Sequence, residues 1–169
     1  MKLLLSFVLT ITLSPIWPLG PNPIAGDPYI IINKQTNELA FINKGDIQQV
    51  YPVATGVFSN LTPEGSFTVV VKAADPYYRR KNIKGGSPDN PLGTRWIGFD
   101  AEGTDGRIYG IHGTNNELSI GKYVSNGCIR MRNKNVEELY NRIPLGTKVF
   151  IHSSEKSFQE IGKENGALK

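Results

Sequence analysis

One cysteine in 169 residues excludes an internal disulfide framework. Only two histidines are present, and neither belongs to a His/Asp/Glu cluster with ligand spacing. A lone Cys–His pair is a poor metal site, so no metal or other cofactor is expected. No apolar run approaches the roughly 20 residues of a membrane-spanning helix; the run from Leu3 to Leu13 is shorter and is interrupted by small hydroxyl residues. Long runs of one charge sign are also missing. The 19 Lys and Arg against 15 Asp and Glu leave a net charge of +4, spread along the chain as in "YYRRKNIK". That distribution describes a solubilising surface, and with no helix-turn-helix or base-stacking motif it excludes nucleic acid as a partner. Helical patterning is scarce too: 18 Gly and 11 Pro with one good helical stretch favour short strands and many connections.

What is present begins with Lys2 and the apolar run behind it. Residues 1–25 read as a secretory signal peptide or an N-terminal anchor, with Ala25 the best-placed small residue for cleavage in "SPIWPLGPNPIAGDP". The mature chain is therefore expected to be exported, to the cell envelope or wall or the extracellular face of the membrane. In an oxidising space an odd cysteine is a candidate reactive thiol or an intermolecular link. The alternative is a small buried hydrophobe.

From Asp27 to Ser153 the pattern is one domain without repeats, followed by a polar tail, 154–169, read as frayed. "PYIIIN", "ELAFIN" and "IQQVYPVAT" form a meander through the turns "KQTN" and "NKGD". "TPEGSFTVVVK" supplies a strand over 66–72, and "RWIGFD", "RIYGIHG", "GCIRM" and "KVFIHS" supply the rest. The long irregular connection between Ala73 and Gly93 is of a kind that usually serves function. One helix is predicted from an N-cap at Asn135, with Val136, Leu139, Tyr140 and Ile143 on one face. The expected fold is all-β dominated: a β-sandwich or partly closed mixed sheet with one covering helix near 135–143.

If "GCIRM" is a strand, alternation puts Cys128 and Arg130 on one face and Ile129 and Met131 on the other, toward the core. A neighbouring cation lowers a thiol's pKa and raises its thiolate fraction. Gly127 permits close backbone approach, so N–H groups there could face a carbonyl oxygen. A nucleophilic Cys needs a base. His152 reads as a surface residue at a strand end, whereas His112 lies sixteen residues before Cys128, where a strand meets a Gly turn.

"HGTNNELSIGKYVSNGCIRMR" resembles the signature of the L,D-transpeptidase catalytic domain (YkuD-type), and "VATGV", "LTPEGSF", "NPLGTRWIGF" and "IPLGTKVFI" resemble its other markers. The resemblance covers about 28–152 and implies a β-sandwich enzyme of the bacterial envelope acting on peptidoglycan stem peptides, with Cys128 as nucleophile and His112 as acid and base. It implies that the Gly113 carbonyl orients the imidazole and that Gly127 and Cys128 N–H groups form an oxyanion hole. Arg130 would support the thiolate or a substrate carboxylate, Ser125 is counted with the oxyanion and support residues, and Asn126 is left to hydrogen-bond substrate. Acyl transfer to another stem's amine would cross-link the wall; transfer to water would give a carboxypeptidase. Carbapenem-type inhibitors are expected to acylate such a site, and a monomer is expected. Many members of that family have a His where this chain has Asn126, so that residue's role is not carried over. A sortase-like transpeptidase would separate His and Arg widely from Cys in sequence. A non-catalytic exported wall-binding module would leave Cys128 structural.

Overall fold

A computed structural model describes residues 26–169; the expected signal or anchor, 1–25, lies outside the described residues. Among the described residues ten strands form in chain order: β1 (Tyr29–Asn33), β2 (Glu38–Asn43), β3 (Asp46–Pro52), β4 (Thr55–Gly56), β5 (Gly65–Ala74), β6 (Arg95–Phe99), β7 (Gly110–His112), β8 (Tyr123–Ser125), β9 (Ile129–Arg130) and β10 (Lys148–His152). Eight of them make one mixed sheet in the order β3-β2-β1-β10-β5-β6-β7-β9, while β4 and β8 pair in parallel as a small second sheet.

Strand β1 reads as a continuous apolar run because both of its faces are covered. Ile30 and Ile32 enter the main core with Leu39, Phe41, Ile97, Phe99, Ile111, Ile129 and Val149. Tyr29 and Ile31 enter a second cluster on the opposite face with Ala40, Ile42, Ile161 and Ala167. The large sheet does not stay open. Ala54, just past edge strand β3, exchanges both backbone hydrogen bonds with Arg130 of the opposite edge strand β9, each at 2.9 Å. An edge-to-edge bridge of this kind requires the sheet to curl on itself, so the partly closed mixed sheet expected from the sequence is what forms.

Two helices differ from the reading of the sequence. Helix α1 (Asn133–Arg142) starts two residues before the anticipated cap at Asn135, and its own N-cap position, Arg132, makes no side-chain capping bond. Its apolar face is as expected: Val136 and Leu139 are buried in the main core, with Ile143 just beyond. The tail is not frayed. Helix α2 (Phe158–Glu164) opens with a reciprocal Ser157–Glu160 capping box and buries Ile161 against β1 and β2. Among the described residues no helix is long and apolar enough to cross a membrane.

Candidate active site

The site lies where the curled sheet meets itself. Strands β7 and β9 run parallel, with Ile111 opposite Ile129 and His112 opposite Arg130. Alternation then sorts the side chains. Ile111 and Ile129 are fully buried in the core, as is Met131, while His112 and Arg130 share the other face. Cys128, one residue before β9, is level with Gly110 on that same face. The ordered strand at "GCIRM" is only two residues long, yet the alternation inferred from the sequence holds across it. His112 and Cys128 are therefore diagonal neighbours on adjacent strands, with Arg130 completing the group.

His112 is 4 % exposed, and its ring stacks on the Trp96 indole with centroids 5.5 Å apart. Trp96 reaches it because β6 and β7 register Trp96 against His112, and its Nε1 is fixed by donating to the Gly106 carbonyl at 2.8 Å. His112 Nδ1 lies 2.6 Å from the Gly113 carbonyl oxygen. A carbonyl only accepts, so Nδ1 carries the proton and the neutral ring keeps the Nε2 lone pair. Burial pushes the His112 pKa down to about 4, and the Arg130 charge acts in the same direction; backbone hydrogen bonding at Gly113 and Leu92 opposes it and does not prevail. The imidazole is neutral at physiological pH.

Cys128 is a free, partly exposed thiol whose Sγ donates to the Ile108 carbonyl at 3.3 Å. The expectation that Arg130 lowers its pKa meets a stronger opposing effect. Burial pushes the thiol up, while the backbone hydrogen bond with Gly110 and the charges of Arg130 and Arg80 pull it down without prevailing. Both shifts favour the uncharged forms of the two side chains.

The loop before Cys128 also differs from expectation. The buried Gly127 N–H donates to Ser125 Oγ at 3.1 Å, and that hydroxyl donates to the Cys128 carbonyl at 2.5 Å. Gly127's donor is thus engaged within the loop rather than offered to a ligand, and Ser125 is the buttress that shapes it. Asn126 is exposed at the tip. His152, anticipated at the surface, is 6 % exposed, stacks on Phe150 and bonds Ser154 Oγ through Nδ1. It belongs to the far end of β10 and takes no part here.

Reading the sequence did not find Trp96, Tyr109, Asn90 or Asn133. Tyr109 donates to Glu102 Oε2 at 2.8 Å and stands beside Gly127. Asn90 pins the long 73–93 connection by donating to the Pro76 carbonyl at 2.8 Å and accepting from Leu92 N–H at 2.9 Å, which fixes the backbone at the His112 ring. The available signal was the aromatic in "RWIGF", at a strand position two residues short of a glycine. Among the described residues no group of three or more His, Cys, Asp or Glu is placed to hold a metal ion.

Residues 27–151 match the family model of the L,D-transpeptidase catalytic domain, YkuD. A Bacillus subtilis (strain 168) relative that bears the name L,D-transpeptidase, YqjB, is 65% identical over 156 residues, covering 92% of this chain and 89% of its own. An L,D-transpeptidase structure from Mycobacterium smegmatis superposes with a TM-score of 0.60 at 18% identity, over 76% of this chain and 59% of that one. The catalytic domain of the E. faecium L,D-transpeptidase, solved acylated by ertapenem, gives 0.57 at 22% identity, over 75% of this chain and 98% of that domain. At those identities the two structures speak to the fold, and the curled sheet is theirs as well. Family model and close relative together settle the kinship: the chain belongs to the YkuD family of L,D-transpeptidase catalytic domains.

Proposed function

We propose that this chain is a cysteine-dependent peptidoglycan L,D-transpeptidase of the cell envelope, exported by its N-terminal segment. The observation that carries the reading is the placement of Cys128, a neutral His112 with its Nδ1–H tied to Gly113, and Arg130 on one face of β7 and β9. In the first half-reaction Sγ attacks the carbonyl carbon of the third stem residue while its proton passes to His112 Nε2. The peptide C–N bond then breaks, and the imidazolium returns that proton to the departing D-Ala amine, leaving a thioester. A neutral starting pair suits this order, because the base takes the proton only as the bond forms. In the second half-reaction an amine of another stem attacks the thioester, gives its proton to His112 and regenerates the thiol. Water in place of the amine gives L,D-carboxypeptidase activity. In this reading the Cys128 N–H meets the oxyanion, and the Arg130 charge supports it or a substrate carboxylate.

Incubation of the purified protein with ertapenem tests the chemistry. The wild type is expected to gain one covalent adduct by intact mass, Cys128→Ala none, and His112→Ala a rate lower by roughly 100-fold or more. With a disaccharide tetrapeptide, D-Ala release follows the same order. A wild-type mass that stays unmodified and a tetrapeptide that stays intact would overturn the proposal.

A further inference from the structure

Asn133 spends its side chain on backbone outside its own helix. It is the first residue of α1, where an Asn amide commonly serves a helix terminus, yet it turns to two loops instead. Its Oδ1 accepts from the N–H of Thr94 at 3.2 Å and of Thr114 at 3.1 Å, and its Nδ2 donates to the Thr114 carbonyl at 3.1 Å. Thr114 is thus held on both its N–H and its C=O, much as a neighbouring strand would hold it. The approach is close: a Cβ on either Gly93 or Gly113 would come within 2.1 Å of Asn133 Oδ1. Both loops are bare where the amide enters.

Those two loops carry the groups that hold the imidazole. Gly113 supplies the carbonyl 2.6 Å from His112 Nδ1, and the Leu92 backbone lies near enough to favour the ring's charged form. Trp96, two residues beyond Thr94, supplies the stacked indole. We propose that Asn133 is the positioning residue of His112: by clamping Gly93–Thr94 to Gly113–Thr114 it aims the Gly113 carbonyl at Nδ1 and keeps the proton there. The proposal rests on the reading of His112 as the base. A residue that merely anchored α1 would change stability when removed but not the ring's tautomer or the split between binding and rate.

The test compares wild type with N133A and N133D, each well below its melting temperature. One readout is the ¹⁵N chemical shifts of the His112 ring nitrogens, assigned against His112→Asn. The other is single-turnover acylation by ertapenem, resolved into a half-saturating concentration and a limiting rate. N133A is expected to replace the Nδ1–H tautomer with a mixture and to lower the limiting rate roughly 10- to 100-fold. Its half-saturating concentration should move by less than about twofold. N133D keeps the acceptor for both N–H groups and loses the donor, so it should fall between. A folded N133A with wild-type ring shifts and limiting rate overturns the proposal. Where N133A does not fold, N133D decides by the same two readouts, and wild-type values there overturn it equally. A wild type that ertapenem fails to acylate would count against the transpeptidase reading, while the ring shifts would still decide the role of Asn133.

Discussion

At the residue scale, the site is governed by burial more than by charge. Cys128 and His112 both sit near Arg130, and the sequence invites the inference that the cation dominates; desolvation outweighs it at the thiol and reinforces it at the imidazole. The shift at His112 has a consequence for stability that follows from proton linkage. The unfolded chain binds a proton on this residue as pH falls through 6.5, whereas the folded protein, with its pKa at about 4, refuses it until that value. Stability therefore falls as pH falls across that window, by about 3 kcal/mol in all at about 1.4 kcal/mol per pKa unit. Glu64, its carboxyl held low by hydrogen bonds from Ser153 and Lys34, loses stability in the same direction at more acid pH, so the histidine must be isolated by difference. Urea unfolding of wild type and His112→Asn between pH 7 and 4 is expected to show a steeper acid loss in the wild type. The acid limb of ertapenem acylation should fall near pH 4; parallel stability curves and a limb near 6.5 would both contradict a buried neutral ring.

At the element scale, local pattern and tertiary use diverge most at the two helices. Helix α2 depends on its capping box: Glu160 N–H donates to Ser157 Oγ, and Ser157 N–H donates to Glu160 Oε2. Ser157→Ala should cost about 1 kcal/mol and lower Tm by roughly 2–4 °C, leaving ertapenem acylation unchanged because α2 covers the face of β1 and β2 away from the site. A fall in acylation would show that the far face matters to the chemistry. The Ser-x-x-Glu signature was legible in "SFQE", but seven residues with few apolar positions look like a tail until the β1 face that they cover is known. The start of α1 was obscured for the opposite reason. Asn135 followed by two glutamates imitates a cap, while the real beginning, Asn133, has its amide committed to Thr94 and Thr114. The strands were plain, since β1, β2, β6 and β10 carry their own β-branched and aromatic signal. The face of Cys128 was readable from alternation alone. The side chains that hold His112 and its flanking loops, Trp96, Asn90 and Asn133, were not, because each arrives from an element whose place only the folded sheet defines.

At the scale of the whole molecule, the site depends on the closure of the sheet, and one buried lysine fixes a connection that packs against the Cys128 loop. Lys34, in the turn after β1, is 6 % exposed; its Nζ donates to the carbonyls of Ser59 at 2.6 Å and Thr62 at 2.9 Å and pairs with Glu64 at 2.9 Å. These bonds tie down the connection that runs from β4 to β5. That connection packs against the Cys128 loop: Val57 N–H donates to the Ser125 carbonyl, and a Cβ on Gly127, whose φ is +120°, would come 2.5 Å from the Leu61 carbonyl. Removing the ammonium leaves the carbonyls of Ser59 and buried Thr62 without this donor, while Glu64 keeps only the Ser153 hydroxyl. Lys34→Met keeps the packing of the stem and should still cost about 2–4 kcal/mol. Because the loop is the wall against which Ser125, Gly127 and Cys128 are shaped, the limiting rate of ertapenem acylation should also fall, by roughly tenfold for a displacement of well under an ångström to an ångström. Unfolding by urea gives the first quantity and single-turnover mass spectrometry the second. A variant that loses stability while acylating at the wild-type rate would mean that the Cys128 loop keeps its shape through Ser125, and that the β4–β5 connection serves the fold without serving the chemistry.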